Sequence, residues 1–316
     1  MKTIKFTGNE SIAEACDKLY PESLLKIENA AIFRDDSGKV VEFKGLKKSC
    51  SILRSDGVEI GSVGPDYFLE QPLEVLQNTF GVFLESGEVM LEQGIVSHHG
   101  ARMSVTGRVK GTEIDVVSGD TISAQIRIST SFDGSLSNTT SFNGKRWICG
   151  NEIEFVTIKD AAGYKLQKIG ISKANNAFKL KHSKNFKDRR NAAMGYLIKV
   201  KAIFNESVDL YKQLAKQSMT DNEQRIYFED VFKNNSKTES DELNSKIEQK
   251  IQYVINIRDT TREQELLPMH NTRWEAYNSV TNYLTHHYGK TADTRHAAIT
   301  YGRNVNVSQN ALLKLM

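Results

Sequence analysis

Residues 122–132 read ISAQIRISTSF, and their alternation decides the class of fold. Ile122, Ala124, Ile126, Ile128 and Phe132 fall on one side of an extended chain; Ser123, Gln125, Arg127, Ser129 and Ser131 fall on the other. Strand side chains point to opposite faces in turn, so a period of two predicts a strand with one face in the core. The other face is then expected to meet solvent or a ligand. Residues 101–110 repeat the pattern, with Ala101, Met103, Val105 and Val109 against Arg102, Ser104, Thr106, Arg108 and Lys110. Placed in one sheet, these strands put Arg102, Arg108, Lys110 and Arg127 on one outer face rich in Ser and Thr.

Working outward, residues 27–158 read as strands separated by turn signals. These are Asp35-Asp36-Ser37-Gly38, Asp56-Gly57, Glu85-Ser86-Gly87, Asp133-Gly134 and Asn143-Gly144. Asp-Gly and Asn-Gly between apolar alternations favour the tight turns of hairpins. The echoing segments SFDGSLS and SFNGKRW are therefore expected to be two adjacent hairpin ends. One helix precedes the strands and one interrupts them. Ser11 and Glu14 form a capping box that opens a short helix ended by Tyr20-Pro21. Pro72 suits a first helical turn, and Leu73, Leu76, Phe80 and Phe83 follow at helical spacing as far as Leu84.

From residue 186 the period becomes helical. Ala193, Tyr196, Leu197, Val200, Phe204, Val208, Tyr211 and Leu214 make one stripe along 191–216. Thr220 with Glu223 opens another helix. Thr272 with Glu275 opens a third, with Trp274, Tyr277, Val280 and Leu284 facing inward. Residues 233–242 (KNNSKTESDE) are the expected mobile loop. The class is α+β: an antiparallel strand-rich N-terminal half with one inserted helix, then a long helix and a helical C-terminal half. The expected domains are 1–158, a basic connector 159–185, and a helical region 186–316 that packs on the sheet or forms a second domain.

Composition bounds the function. The 316 residues are 39% hydrophobic and 26% charged, enough apolar material for a core and too much for a disordered polyelectrolyte. No apolar run reaches the roughly 18–20 residues of a membrane span. The start, MKTIKFTGNES, lacks the apolar stretch of a secretory signal, so a cytoplasmic location is expected. Cys16, Cys50 and Cys149 form no Cys-x-x-Cys pair, which excludes a disulfide scaffold and a four-cysteine zinc site.

Charge is unevenly spread. Between Lys159 and Lys201 twelve Lys/Arg stand against Asp160 and Asp188, a net of +10 in a chain whose total is +3. Such clustering is the footprint of a polyanion partner, although a solvated basic face would carry the same charges. The densest run holds Lys179, Lys181, Lys184, Lys187, Arg189 and Arg190, where the long helix should begin. Cations there oppose the helix dipole, a conflict that an anion at the helix N-terminus would relieve. Tyr164, Phe178, Phe186 and Tyr196 interleave with the charges and are available either to stack bases or to anchor the segment in the core.

A phosphate loop, His-Glu-x-x-His and a Gly-x-Ser-x-Gly elbow are all missing. The pairs His98-His99 and His286-His287 put neighbouring side chains apart, unsuited to gripping one metal ion. Glu42-x-Lys44 after Asp35 or Asp36 imitates, loosely, the acid-pair-plus-lysine arrangement of metal-dependent nucleases.

Several segments in order resemble the phage/plasmid-like protein family, whose shared domain has no assigned function. They are Gly61-Ser62-Val63-Gly64-Pro65-Asp66-Tyr67-Phe68 leading to Leu76-Gln77-Asn78, Asp133-Gly134-Ser135, Arg146-Trp147-Ile148-Cys149-Gly150-Asn151, and Asn271-Thr272-Arg273-Trp274-Glu275-Ala276-Tyr277-Asn278. The family's glycine-rich, tryptophan-bearing strand is replaced here by Ser97-His98-His99-Gly100-Ala101-Arg102-Met103. The resemblance implies a phage- or plasmid-encoded protein in the host cytoplasm. The order of strands, helix, strands and long helix is similar to that of phage single-strand annealing proteins. Together these readings lead to an expected function: binding single-stranded DNA (or RNA) and annealing strands, without cofactor or metal, as a homo-oligomer away from membranes. The expected contacts are Arg102, Arg108, Lys110, Arg127 and Lys179 to Arg190, with no catalytic residue assigned. A protein-interaction module that inhibits a host defence or nucleic-acid enzyme, and a metal-dependent nuclease, remain the alternatives.

Overall fold

The computed structural model describes the chain apart from residues 30–31, 35–36, 38–39, 43–48, 156–176, 181–185, 234–240 and 261–268. The class is α+β, with strands concentrated early and helices late. Strand β1 (Lys2–Lys5) precedes helix α1 (Ile12–Leu19). The Ser11 hydroxyl accepts from the Glu14 amide, and the Glu14 carboxylate accepts from the Ser11 amide at 2.8 Å, completing the expected capping box. Ala15, Cys16 and Leu19 form the buried stripe of α1. Strands β2 (Leu24–Glu28), β5 (Cys50–Arg54) and β6 (Glu59–Val63) make a three-stranded antiparallel sheet. Strands β3 (Ile32–Arg34) and β4 (Val40–Glu42) pair as a hairpin, Ile32 opposite Glu42.

Helix α2 consists of Pro72–Val75, a π-helical turn Leu76–Phe80, and Gly81–Glu85. The extra residue in the π turn rotates the buried face, so Val75 and Val82 join Leu76, Phe80 and Phe83 in the core while Leu73 is only half-buried.

The larger sheet has eight strands. Its order runs β1, β7 (Val89–Ser97), β8 (Arg102–Val109), β10 (Thr121–Ser131), β11 (Asn138–Arg146), β12 (Glu152–Ile153). The short strand β9 (Ile114–Asp115) pairs with β10, and β13 (Ala177–Leu180) pairs with β11. Strands β8 and β10 are thus neighbours, an order that the sequence pattern does not itself specify. Asn143-Gly144 is not a turn: it lies inside β11, so residues 141–146 of SFNGKRW are strand and the turn begins only at Trp147. A Cβ at Gly144 would come within 2.5 Å of the Ile153 side chain and 2.9 Å of Phe155, so the glycine serves close packing.

The helices are α3 (Phe186–Lys216), α4 (Asp221–Lys233), α5 (Asp241–Thr260), α6 (Arg273–Asn282, prolonged by a π-helical turn Tyr283–His287), α7 (Ala292–Thr300) and α8 (Arg303–Leu315). Val200, Phe204, Val208, Tyr211 and Leu214 on α3 are buried, each worth about 1.5–3 kcal/mol of transfer free energy.

Two compact units result. One comprises Met1–Arg108, Ile126–Ser141 and Ala177–Tyr196; the other comprises Val109–Gln125, Phe142–Asn176 and Leu197–Met316. The long strands contribute residues to both, so the units do not divide where strands give way to helices. In the second unit α6 packs on α4, α5, α8 and β12, and every residue from Trp274 to Asn282 is buried. A helix covered on all sides is a core element.

Candidate functional site

The cations expected to form one exposed face are placed differently. Arg102 and Arg108 lie on β8 and are half-buried. The Arg102 Nε donates to Ser135 Oγ at 3.3 Å, and Arg108 sits 3.7 Å from Glu92 on β7. Arg127, on β10, is only 5% exposed. The expectation that its face of β10 meets solvent or a ligand fails, because Ser123, Gln125, Ser129 and Ser131 are buried with it. Ser and Gln make this strand alternate although protein covers both faces. Lys110, one residue past β8, is exposed.

Lys179 lies on β13, opposite Thr139 of β11. Beyond β10, β11 is flanked by β12 and β13 at successive stretches, so β13 runs along the outer edge of the described sheet. Lys187, Arg189 and Arg190 fall near the N-terminus of α3. Lys181 and Lys184 lie outside the described residues.

The segments that carried the family resemblance assemble into two clusters. In the first unit, Gly61 of β6 lies against Asp133: a Cβ there would stand 2.6 Å from the Asp133 Cβ. The Tyr67 ring covers Gly134, which has a left-handed φ of +74°, and the Tyr67 hydroxyl donates to Ser131 O at 3.3 Å. Burial, with Asp133 and Glu70 nearby, raises this phenol to about 12, keeping it a donor at neutral pH. Lys26 Nζ donates to the carbonyls of Pro65 and Tyr67, the latter at 2.8 Å. Glu70, itself buried, accepts from Asn138 Nδ2 at 2.9 Å, and Asn138 Oδ1 accepts from the Thr130 hydroxyl. The departing segment 97–103 forms a turn in which His98 and His99 take positive φ; Tyr20 donates to Gly100 O at 2.8 Å and Arg54 to His99 O at 3.1 Å.

In the second unit the center is Asp120. Arg146 Nε donates to its Oδ1, and the Trp274 indole donates to its Oδ2 at 2.8 Å. The Arg146 and Asp120 side chains are 1% and 0% exposed. Arg146 also reaches the sulfurs of Cys149 and Met269, at 3.6 and 3.4 Å. Tyr211 stacks on Trp274 with ring centers 4.9 Å apart, and its hydroxyl donates to Glu154 O. Asn151 donates to Asn278 O at 3.3 Å and pairs through Oδ1 with His286 at 3.1 Å, while Tyr277 accepts the Glu154 amide at 3.0 Å. A fully buried ion pair whose carboxylate oxygens both accept hydrogen bonds is costly to break from either side, because one charge is then left buried without its partner. Asp120 escaped the sequence reading: it follows Ser118-Gly119, an ordinary turn, and nothing local marks it as the partner of residues 26 and 154 positions away.

The family described as Domain of unknown function (DUF932) matches residues 59–311. The chain belongs to that family. No curated protein and no solved structure matches the chain. The DUF932 match begins in β6 and ends in α8, so it takes in the second cluster and all of the first except Tyr20, Lys26 and Arg54. Within this DUF932 chain, the segments around Gly61, Asp133, Arg146 and Trp274 thus lie where side chains and backbone are locked together. Cys149 behaves accordingly: burial pushes its thiol up despite Arg146 beside it, leaving little thiolate.

The paired histidines do not converge. His286 faces Asn151 whereas His287 pairs with the Tyr253 hydroxyl at 3.0 Å, so the two neighbors have separate partners. Among the described residues no three His, Cys, Asp or Glu are grouped to hold a metal ion. Of the nuclease candidates, Asp35, Asp36 and Lys44 lie outside the described residues, and Glu42 ends β4. No helix among the described residues is long and apolar enough to cross a membrane.

Proposed function

We propose that this protein binds single-stranded nucleic acid, DNA in the first place, through the basic stretch 177–190, and that it brings complementary strands together without a cofactor. The observation that carries the reading is the concentration of charge: a net of +10 between Lys159 and Lys201, against a total of +3. The position of β13 along the outer edge of β11, followed by Lys187, Arg189 and Arg190 at the start of α3, supports it. Backbone amides at a helix start and clustered cations both favour phosphate. Lys110, exposed, is an additional contact in this reading, whereas Arg127 is not. Origin in a phage or plasmid, residence in the host cytoplasm and assembly of several copies along one strand belong to the same proposal.

Filter binding of labelled oligonucleotides over a series of salt concentrations tests it. Affinity is expected to fall with salt at a log–log slope of about −0.7 for each phosphate neutralised on single strands. A slope near zero removes the electrostatic premise. Annealing of two complementary oligonucleotides, followed by fluorescence in the same buffers, separates strand pairing from binding alone.

A further inference from the structure

Within the helical unit, α4, α5, the π turn after α6 and the start of α8 enclose a cleft lined by Phe232, Lys250, Tyr283, Tyr288, Arg303 and Asn304. Its two charged lining residues, Lys250 and Arg303, have the same sign, and none of the residues lining it is acidic. Lys250 is half-buried and has no hydrogen bond or ion pair among the described residues. Burial first, and Arg303 second, pull its ammonium below the ordinary lysine range. The hydroxyls of Tyr283 and Tyr288 likewise have no hydrogen-bond partner among the described residues.

Arg303 is also the first residue of α8. The N-cap, Gly302, has no side chain to accept from the first amides, and the first turn holds no acid. A cation at a helix N-terminus opposes the dipole, and a lysine facing an arginine repels it. One anion in the cleft gives Lys250 a counter-charge and the tyrosine hydroxyls an acceptor. We propose that this cleft binds a phosphate group, held by Lys250 and Arg303 with the N-terminal amides of α8 and the two tyrosine hydroxyls. Phe232 and the tyrosine rings form an aromatic wall beside it, so the phosphate of a nucleotide is accommodated as well as the free ion. The inference stands apart from the basic stretch 177–190, which lies on other elements.

Titration calorimetry of the full chain with inorganic phosphate, AMP and adenosine tests the site, combined with reductive methylation of lysines read by mass spectrometry. Phosphate and AMP are expected to bind and to protect Lys250 from methylation; adenosine is not. Lys250→Gln and Arg303→Gln are each expected to weaken phosphate binding by about tenfold or more, with the circular dichroism unchanged. AMP binding more tightly than phosphate assigns the aromatic wall to a base; equal binding assigns the free ion. A variant with Lys184, Lys187, Arg189 and Arg190 changed to Ala should bind phosphate as the unaltered chain does, even if it no longer binds DNA. No heat with phosphate or AMP and no protection of Lys250, full affinity in both Gln variants, or phosphate binding lost in the fourfold variant would each overturn the proposal.

Discussion

The indole N–H of Trp274 donates to Oδ2 of Asp120 at 2.8 Å, joining two residues 154 positions apart in the core of the helical unit. Arg146 occupies the other oxygen of the same carboxylate, and neither ionic side chain is more than 1% exposed. The charges neutralise one another only as a pair, so stability depends on both.

Asp120→Asn leaves the Arg146 guanidinium buried without its counter-charge. The variant should lose about 3–5 kcal/mol in equilibrium urea unfolding. Trp274→Phe keeps an aromatic ring against Tyr211 but removes the N–H, and should cost about 1.5–3 kcal/mol, the range for a hydrogen bond to a charged group. A loss under about 1 kcal/mol in Asp120→Asn would contradict the role given to the pair.

Gly61→Ala places a methyl 2.6 Å from the Cβ of Asp133, which has no flexible end to swing aside. Overpacking of this kind should lower stability by about 1–3 kcal/mol. Thermal unfolding checks it; an unchanged midpoint would mean that the turn at Asp133 yields freely.

Arg127 and the basic stretch should behave oppositely. Arg127→Ala opens a hole behind a residue that is 5% exposed, so unfolding free energy should fall by about 1–3 kcal/mol while the folded fraction keeps its DNA affinity. Changing Lys184, Lys187, Arg189 and Arg190 together to Ala should leave unfolding unaltered and reduce the salt slope by about 0.7 for each phosphate contact removed. A fourfold variant with unaltered slope would dissociate this stretch from binding.

Acid should loosen the helix caps first. Amides of the Thr7 region and Lys18 hold Glu10 down at about 2 from its ordinary 4.5. The Ser11 and Thr220 amides and hydroxyls lower Glu14 and Glu223 in the same direction. A carboxylate whose folded value lies below its unfolded one stabilises fully above the unfolded value and loses that contribution as pH falls through the folded one. Protection from hydrogen exchange of the Thr7 and Gly8 amides, which donate to Glu10, should therefore be constant near neutrality and decline below 4.5 towards 2, and that of the Ser11 and Thr220 amides should fall with acid in the same direction. Constant protection across that window would contradict the capping role.

Much of the fold is legible locally. The capping boxes at Ser11 and Thr220, the N-cap at Thr272, the alternation along β10 and the stripe from Val200 to Leu214 appear in the structure because each depends on residues a turn or a strand apart. The enclosure of the polar face of β10 is not legible for a related reason: alternation records that two faces differ in polarity, not which of them water reaches. The role of Asn143-Gly144 is not legible either, because the same dipeptide serves a turn and a tight contact, and Ile153 decides between them.

The sequence alone settled that this chain is an α+β protein, where five of the described helices begin, and that positive charge gathers between Lys159 and Lys201. Periodicity, caps and composition are properties of neighbours along the polymer. The tertiary structure alone decided that Asp120 completes the Arg146 and Trp274 motifs, that Arg127 is enclosed, and that Lys250 meets Arg303. Those pairings join positions far apart in the chain, and burial, which sets whether a charge binds a partner or holds the core, exists only once they have met.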